Sequence, residues 1–147
     1  MNIKRLYKLD LGDAVTVFNK PFVYVGHAQV ELDSGHKQRW LYDDEGRMLC
    51  VSPHDEELIL FREIEEELEP EDEVVTYQDK EYQFESENAG NVLESEGEAV
   101  AEEEDRFLFS DYATQGGEVI RLIENESTGE SSAYIGTYAS DEDVAEM

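Results

Sequence analysis

Apolar and polar residues alternate in short runs along this chain, and turn-forming residues interrupt the runs about every ten positions. The interruptions are Asn19-Lys20-Pro21, Asp33-Ser34-Gly35, Asp43-Asp44-Glu45-Gly46, Gln78-Asp79-Lys80, Gln115-Gly116-Gly117 and Ser127-Thr128-Gly129-Glu130. Successive residues of a strand face opposite sides, so a half-buried strand reads apolar, polar, apolar. Lys80 to Glu85 follows that pattern, with Tyr82 and Phe84 expected to face inward. Phe22 to Leu32 begins apolar on both faces and then alternates, placing Ala28, Val30 and Leu32 on one side. His27, Gln29 and Glu31 fall on the other side, which predicts a surface position for His27. Further strands are expected over 14–18, 37–42, 47–51, 73–77, 106–112, 118–124 and 131–138. The rhythm predicts a mostly β protein with little helix, an antiparallel sandwich or barrel-like domain.

Local pattern leaves residues 53–68 open between strand and helix. Ser52-Pro53-His54-Asp55-Glu56-Glu57 has a capping serine, a proline at the first helical position and acids in the first turn. Leu58, Phe61, Ile64 and Leu68 follow at near-helical spacing, yet Leu58-Ile59-Leu60-Phe61 also suits a buried strand. Val15-Thr16-Val17-Phe18, a turn and Phe22-Val23-Tyr24 resemble Val75-Thr76-Tyr77, a turn and Tyr82-Gln83-Phe84, a hint of internal duplication. The division expected is one domain of two similar meander halves, about 9–68 and 73–140. Acidic loops are expected over about 63–73 and 94–105, with a short flexible C-terminal tail over about 140–147.

Composition changes the picture through charge rather than through size. The 147 residues suit a single domain, and 39% hydrophobic content is ordinary for a folded protein. Against 11 basic residues stand 38 acidic ones, a net charge of −27. The 8 tyrosines and 6 phenylalanines, many in alternating runs, argue against disorder. From Glu63 to Asp105 there are 19 acids and one base, Lys80, so −18 of the charge sits in 43 residues. No basic cluster serves nucleic acid or an anionic membrane surface, and no apolar stretch serves membrane insertion. Met1 to Asp13 has cations without an apolar region behind them, so the expected location is cytoplasmic.

Candidate chemistry is sparse, and neither a cofactor nor a metal is expected. Cys50 stands alone in a strand-like run and reads as a small core residue. His27, His36 and His54 lack metal-ligand spacing, and Gly116-Gly117 reads as a hairpin turn rather than a phosphate cradle. Asp43-Asp44-Glu45-Gly46 likewise reads as a hairpin tip rather than a calcium loop. A catalytic carboxyl group needs a raised pKa, which burial provides, so only acids inside apolar strands qualify. These are Asp111 and Glu124, either of which Arg121 could pair with, and a paired charge or a strand-end carboxylate holding a turn is the better reading of both.

Several segments in order resemble the bacterial family called domain of unknown function 4178. Leu11-Gly12-Asp13-Ala14-Val15 followed by Phe22-Val23-Tyr24-Val25-Gly26 is similar to its opening. Trp40-Leu41-Tyr42-Asp43-Asp44-Glu45-Gly46, then Leu49-Cys50-Val51-Ser52, resembles its second hairpin. Tyr77 to Phe84 resembles its middle hairpin, and Asp111-Tyr112, Gly116-Gly117, Glu124 and Gly136 its C-terminal pattern. His36 and Cys50 stand near positions where relatives often carry aromatic residues. The resemblance implies two related halves and favours a strand over 57–64, without implying an activity. Relatives encoded beside phage-shock-type membrane-stress proteins and polyamine-related enzymes imply an accessory role in envelope maintenance.

The function expected is therefore a non-enzymatic cytosolic accessory or adaptor domain, acting through protein contacts in bacterial envelope stress or membrane maintenance. Its partner would be a protein with a basic surface, and nucleic acid would not bind directly. The candidate contact residues are Trp40, Tyr42, Glu65, Glu66, Glu67, Asp111, Tyr112 and Glu124. The alternative is a small-ligand domain that takes a polyamine or another cation.

Overall fold

A computed structural model describes residues 2–98 and 102–147. After a short helix α1 (Ile3–Leu6) the chain forms β1 (Ala14–Val17), β2 (Lys20–Val23), β3 (Gly26–Leu32), β4 (Lys37–Tyr42), β5 (Arg47–Ser52) and β6 (Glu57–Ile64). It continues with β7 (Val74–Tyr77), β8 (Lys80–Gly97), β9 (Arg106–Ala113), β10 (Glu118–Asn125), β11 (Ser131–Ala139) and β12 (Val144–Glu146). The strands β3-β4-β5-β6-β11-β10-β9-β8 lie side by side, and β8 pairs back onto β3, closing an eight-stranded antiparallel barrel. A smaller sheet, β12-β1-β2, lies beside it. Among the described residues, no helix is long and apolar enough to cross a membrane.

Closure rests on β8, whose first half pairs with β7 and β9 and whose second half pairs with β3. Two register shifts, between Phe84 and Ser86 and opposite Gln29 and Val30, let this long strand bend around the barrel. The chain approaches itself so closely along this seam that a side chain does not fit at Gly26, Gly90 or Gly97. A Cβ on Gly90 would lie 2.6 Å from the Glu31 carbonyl oxygen, and one on Gly97 would collide with the carbonyl of Val25.

Two hairpins built alike precede the two runs of barrel strands. In β1–β2, Val17 pairs with Lys20 and Val15 with Phe22; in β7–β8, Tyr77 pairs with Lys80 and Val75 with Tyr82. Both two-residue turns, Phe18-Asn19 and Gln78-Asp79, have positive φ at both positions, the backbone form that matches strand twist in tight hairpins. Each hairpin covers an outer wall of the barrel. Val15, Val17 and Phe22, with Leu6 and Leu9, pack on Leu41, Leu49, Val51 and Leu58. Val75, Tyr77 and Tyr82 pack near Tyr112, Ile120 and Ala133.

The ambiguous segment is a strand. Residues 53–56 form the turn between β5 and β6, with Ser52 paired to Glu57, and no helix begins at Ser52. Ile59 and Phe61 join the barrel interior while Leu58 faces the small sheet, so both faces of the strand are buried. That explains an apolar run without alternation.

Three other expectations need correction. The end of the chain is not a tail: residues 141–143 form a 3-10 turn and β12 pairs with β1. The acidic stretch 94–105 begins as strand, since β8 runs to Gly97; Ala99, Val100 and Ala101 lie outside the described residues. Phe84 is 40% exposed at the start of β8, with its ring edge-on to Tyr112, although Tyr82 is buried as its pattern implied.

The seam makes a direct prediction. Gly97→Ala combines a positive φ with a backbone collision and should cost about 2–4 kcal/mol. Gly35→Ala, also at positive φ but with open space around it, should cost only about 1 kcal/mol. Urea unfolding of the two variants checks the difference.

Candidate functional site

The barrel interior is filled by side chains, with a charge at its centre. Arg121 on β10 and Asp111 on β9 are direct cross-strand partners whose side chains point inward. Arg121 is 2% exposed, and its Nε and Nη2 donate to the two Asp111 carboxylate oxygens at 2.7 and 2.9 Å. Phe61 and Phe109 flank the guanidinium, with ring centroids 4.7 and 4.6 Å from its carbon. Burial works against the Arg121 charge, and the adjacent Asp111 carboxylate more than offsets it, so the group stays protonated well above the ordinary arginine range. The remaining Nη1 lies 3.4 Å from the Cys50 sulfur, and burial pushes that thiol up, away from reactivity.

This arrangement makes Asp111 and Cys50 parts of the core. Trp40 is equally internal, its Nε1 donating to Gln38 at 3.0 Å and its ring against Phe107 and Phe109. Tyr42 is also buried. Asp111, Trp40 and Tyr42 thus stand inside the barrel and not on its outer wall. Their strands alternate as expected, but the barrel closes over the side of the sheet on which they stand.

The acids of the β6–β7 connection line a cleft of about 620 Å³ on the outer wall. One side is Glu63, Glu65, Glu66, Glu67 and Glu69 with Leu68 and Pro70. The other is made by outward residues of β9, β10 and β11: Leu108, Ser110, Tyr112, Leu122, Glu124 and Ser131. The connection is anchored, since Leu68 packs against the core under the second hairpin and Glu71 bridges back to Val74. No ion pair among the described residues involves Glu65, Glu66, Glu67, Glu69 or Glu124. Five of the eight sequence candidates, Glu65, Glu66, Glu67, Tyr112 and Glu124, therefore meet in one place. Leu108 and Leu122, which floor it, were not singled out, because outward apolar residues in a strand look like any other half of an alternation.

A smaller pocket of about 210 Å³ opens at one end of the barrel, where Trp40, Tyr42, Phe107 and Tyr134 meet Glu63 and Glu130. Burial pushes the Tyr134 hydroxyl up to about 12. On another face, the rings of His36 and His54 stack with centroids 3.4 Å apart beside Lys4, Lys8 and Lys37.

His27 differs most from its sequence reading. It is 3% exposed, packed against Tyr24 and Arg39, the latter held by the Tyr7 and Leu9 carbonyls that follow α1. The Tyr24 hydroxyl contacts its Nδ1, and Arg39 Nη2 donates to that hydroxyl at 3.0 Å and to the Leu9 carbonyl at 3.1 Å. On its other side Nε2 lies 3.4 Å from a Glu94 oxygen. Burial first, and the Arg39 charge second, hold the imidazole below its ordinary pKa. His27, Glu94 and Glu96 are the one set of donors among the described residues close enough to share a cation.

These features define an antiparallel barrel with a filled, ion-paired interior and an acid-rimmed cleft on its outside. The family described as Domain of unknown function (DUF4178) matches residues 10–141, and the chain belongs to it. No curated protein and no solved structure matches.

Asp111→Ala should cost about 3–5 kcal/mol, since it strands a buried guanidinium. Combining Asp111→Leu with Arg121→Met should recover most of that loss, because neither charge is then left unpaired. Urea unfolding of the single and double variants measures both terms.

Proposed function

We propose that this domain is a non-enzymatic accessory protein whose acidic cleft receives a basic protein surface. The observation that carries this reading is the meeting of unpaired carboxylates with an apolar floor: Glu65, Glu66, Glu67, Glu69 and Glu124 surround Leu108, Leu122 and Leu68. Complementary charge speeds encounter and excludes acidic partners, while a small desolvated apolar patch supplies affinity. The net charge of −27 supports the same direction, since it disfavours nucleic acid and anionic surfaces. The setting that goes with this reading is the bacterial cytoplasm, in envelope stress or membrane maintenance.

Cross-linked pull-down from host lysate at physiological salt tests it with two charge variants. One replaces Glu65, Glu66, Glu67 and Glu69 with Gln; the other replaces Glu102, Glu103, Glu104 and Glu142. A partner kept by the wild type and the second variant, but lost by the first, is the expected result. Its association rate at low salt should fall about tenfold for the cleft variant. Equal retention by both variants overturns the assignment of the cleft.

A second reading, binding of a small organic cation, is favoured by the pocket at the barrel end. Aromatic rings and carboxylates together suit an ammonium group, and Trp40, Tyr42, Tyr134, Glu63 and Glu130 provide both. Spermidine should then raise Tm more than magnesium at matched ionic strength, and Glu63→Gln with Glu130→Gln should remove the difference. Equal shifts from the two cations exclude this reading.

A further inference from the structure

Where the barrel closes, three donor side chains from two strands converge on its outer face. His27 and Glu96 are paired residues across the β3–β8 seam, and Glu94 stands opposite Gln29. One donor atom from each of His27, Glu94 and Glu96 lies within 4.8 Å of the other two. Two ligands each about 2.1 Å from one ion are at most about 4.2 Å apart. Small rotations of the two exposed glutamates close that gap while the buried ring stays in place.

The ring is oriented for ligation. Its Nδ1 contacts the Tyr24 hydroxyl and lies 3.4 Å from Arg39 Nη2, which also donates to that hydroxyl. Its Nε2 faces Glu94 at 3.4 Å, too far for a strong hydrogen bond. A histidine held at one nitrogen by a protein group, with the other facing carboxylates, has the arrangement typical of metal ligands. The Arg39 cation stays on the Nδ1 side, tied to the backbone carbonyls of Tyr7 and Leu9. The ring is itself 3% exposed, and its Nε2, without a strong hydrogen bond, faces the carboxylate cluster.

We propose that His27, Glu94 and Glu96 bind one divalent transition-metal ion of the zinc class, leaving its remaining positions to water. An imidazole ligand selects such ions over magnesium and calcium, which prefer all-oxygen sites. This assignment is independent of the acidic cleft, so either can fail alone.

The test is calorimetric titration of Zn²⁺ into the full chain at physiological salt with excess magnesium, alongside visible spectra of added Co²⁺. The expected result is one ion per chain, with Co²⁺ bands showing an ordered site. Glu94→Gln and Glu96→Gln, both at exposed positions, should each weaken binding at least about tenfold. His27→Gln should abolish it, and Gln at Glu65, Glu66 and Glu67 should leave it unchanged. Zn²⁺ binding that excess magnesium displaces, or that survives both Glu94→Gln and Glu96→Gln, overturns the proposal.

Discussion

A row of eight strands becomes a barrel only if its first and last members can meet, and everything else in this protein depends on that meeting. β3 and β8 achieve it through glycines at which no Cβ fits and through two irregularities that bend β8. Closure gives Trp40, Phe61, Phe109 and Met48 a shared interior. It pairs β3 with the far half of β8, both of which an open sheet would leave exposed along an edge. It also places Arg121 in a dry environment, where a single carboxylate partner becomes indispensable. The outer walls are then left to the two hairpins, which cover them in the same way.

The charge is divided between two uses. Most carboxylates stand in water, where screening within roughly 8 Å makes their mutual repulsion tolerable at physiological salt. Several of the few arginines join segments far apart in the chain. Arg39 ties the residues that follow α1 to Tyr24; Arg47 joins Asp43 to the carbonyl of Pro21; Arg106 holds Asp33 and Asn91 together near the seam. An acidic surface and arginine clips are therefore compatible, since the clips act at short range and the repulsion is spread over the surface. The unpaired acids that remain concentrated, beside Leu108 and Leu122, are the ones with something apolar to approach.

Much of the fold was legible because its signals are local. The alternation in 37–42, 106–112, 118–124 and 131–138 and the hairpin residues at 78–79 and 116–117 report the backbone wherever they occur. The paired hairpins of β1–β2 and β7–β8 were visible for the same reason. The second half of β8 was not foreseen: Glu85 to Gly97 is polar and glycine-containing, and its burial alternates weakly because β8 changes partners along its length. The helix-like start at Ser52 left residues 53–68 open between strand and helix for the complementary reason, since capping residues suit a tight turn as well as a helix.

By itself, the sequence determined a mostly β chain, the positions of most strands, the core role of Cys50 and a concentration of acid on one stretch. These follow from side-chain period, turn chemistry and charge, which act between neighbours in the chain. Only the tertiary structure decided which face of each strand became interior. That choice sent Asp111, Trp40 and Tyr42 inward, buried His27 against Tyr24 and Arg39, and brought Glu65, Glu66 and Glu67 to Tyr112 and Glu124. Alternation says that two faces differ but not what covers them, and the cover here comes from residues tens of positions away.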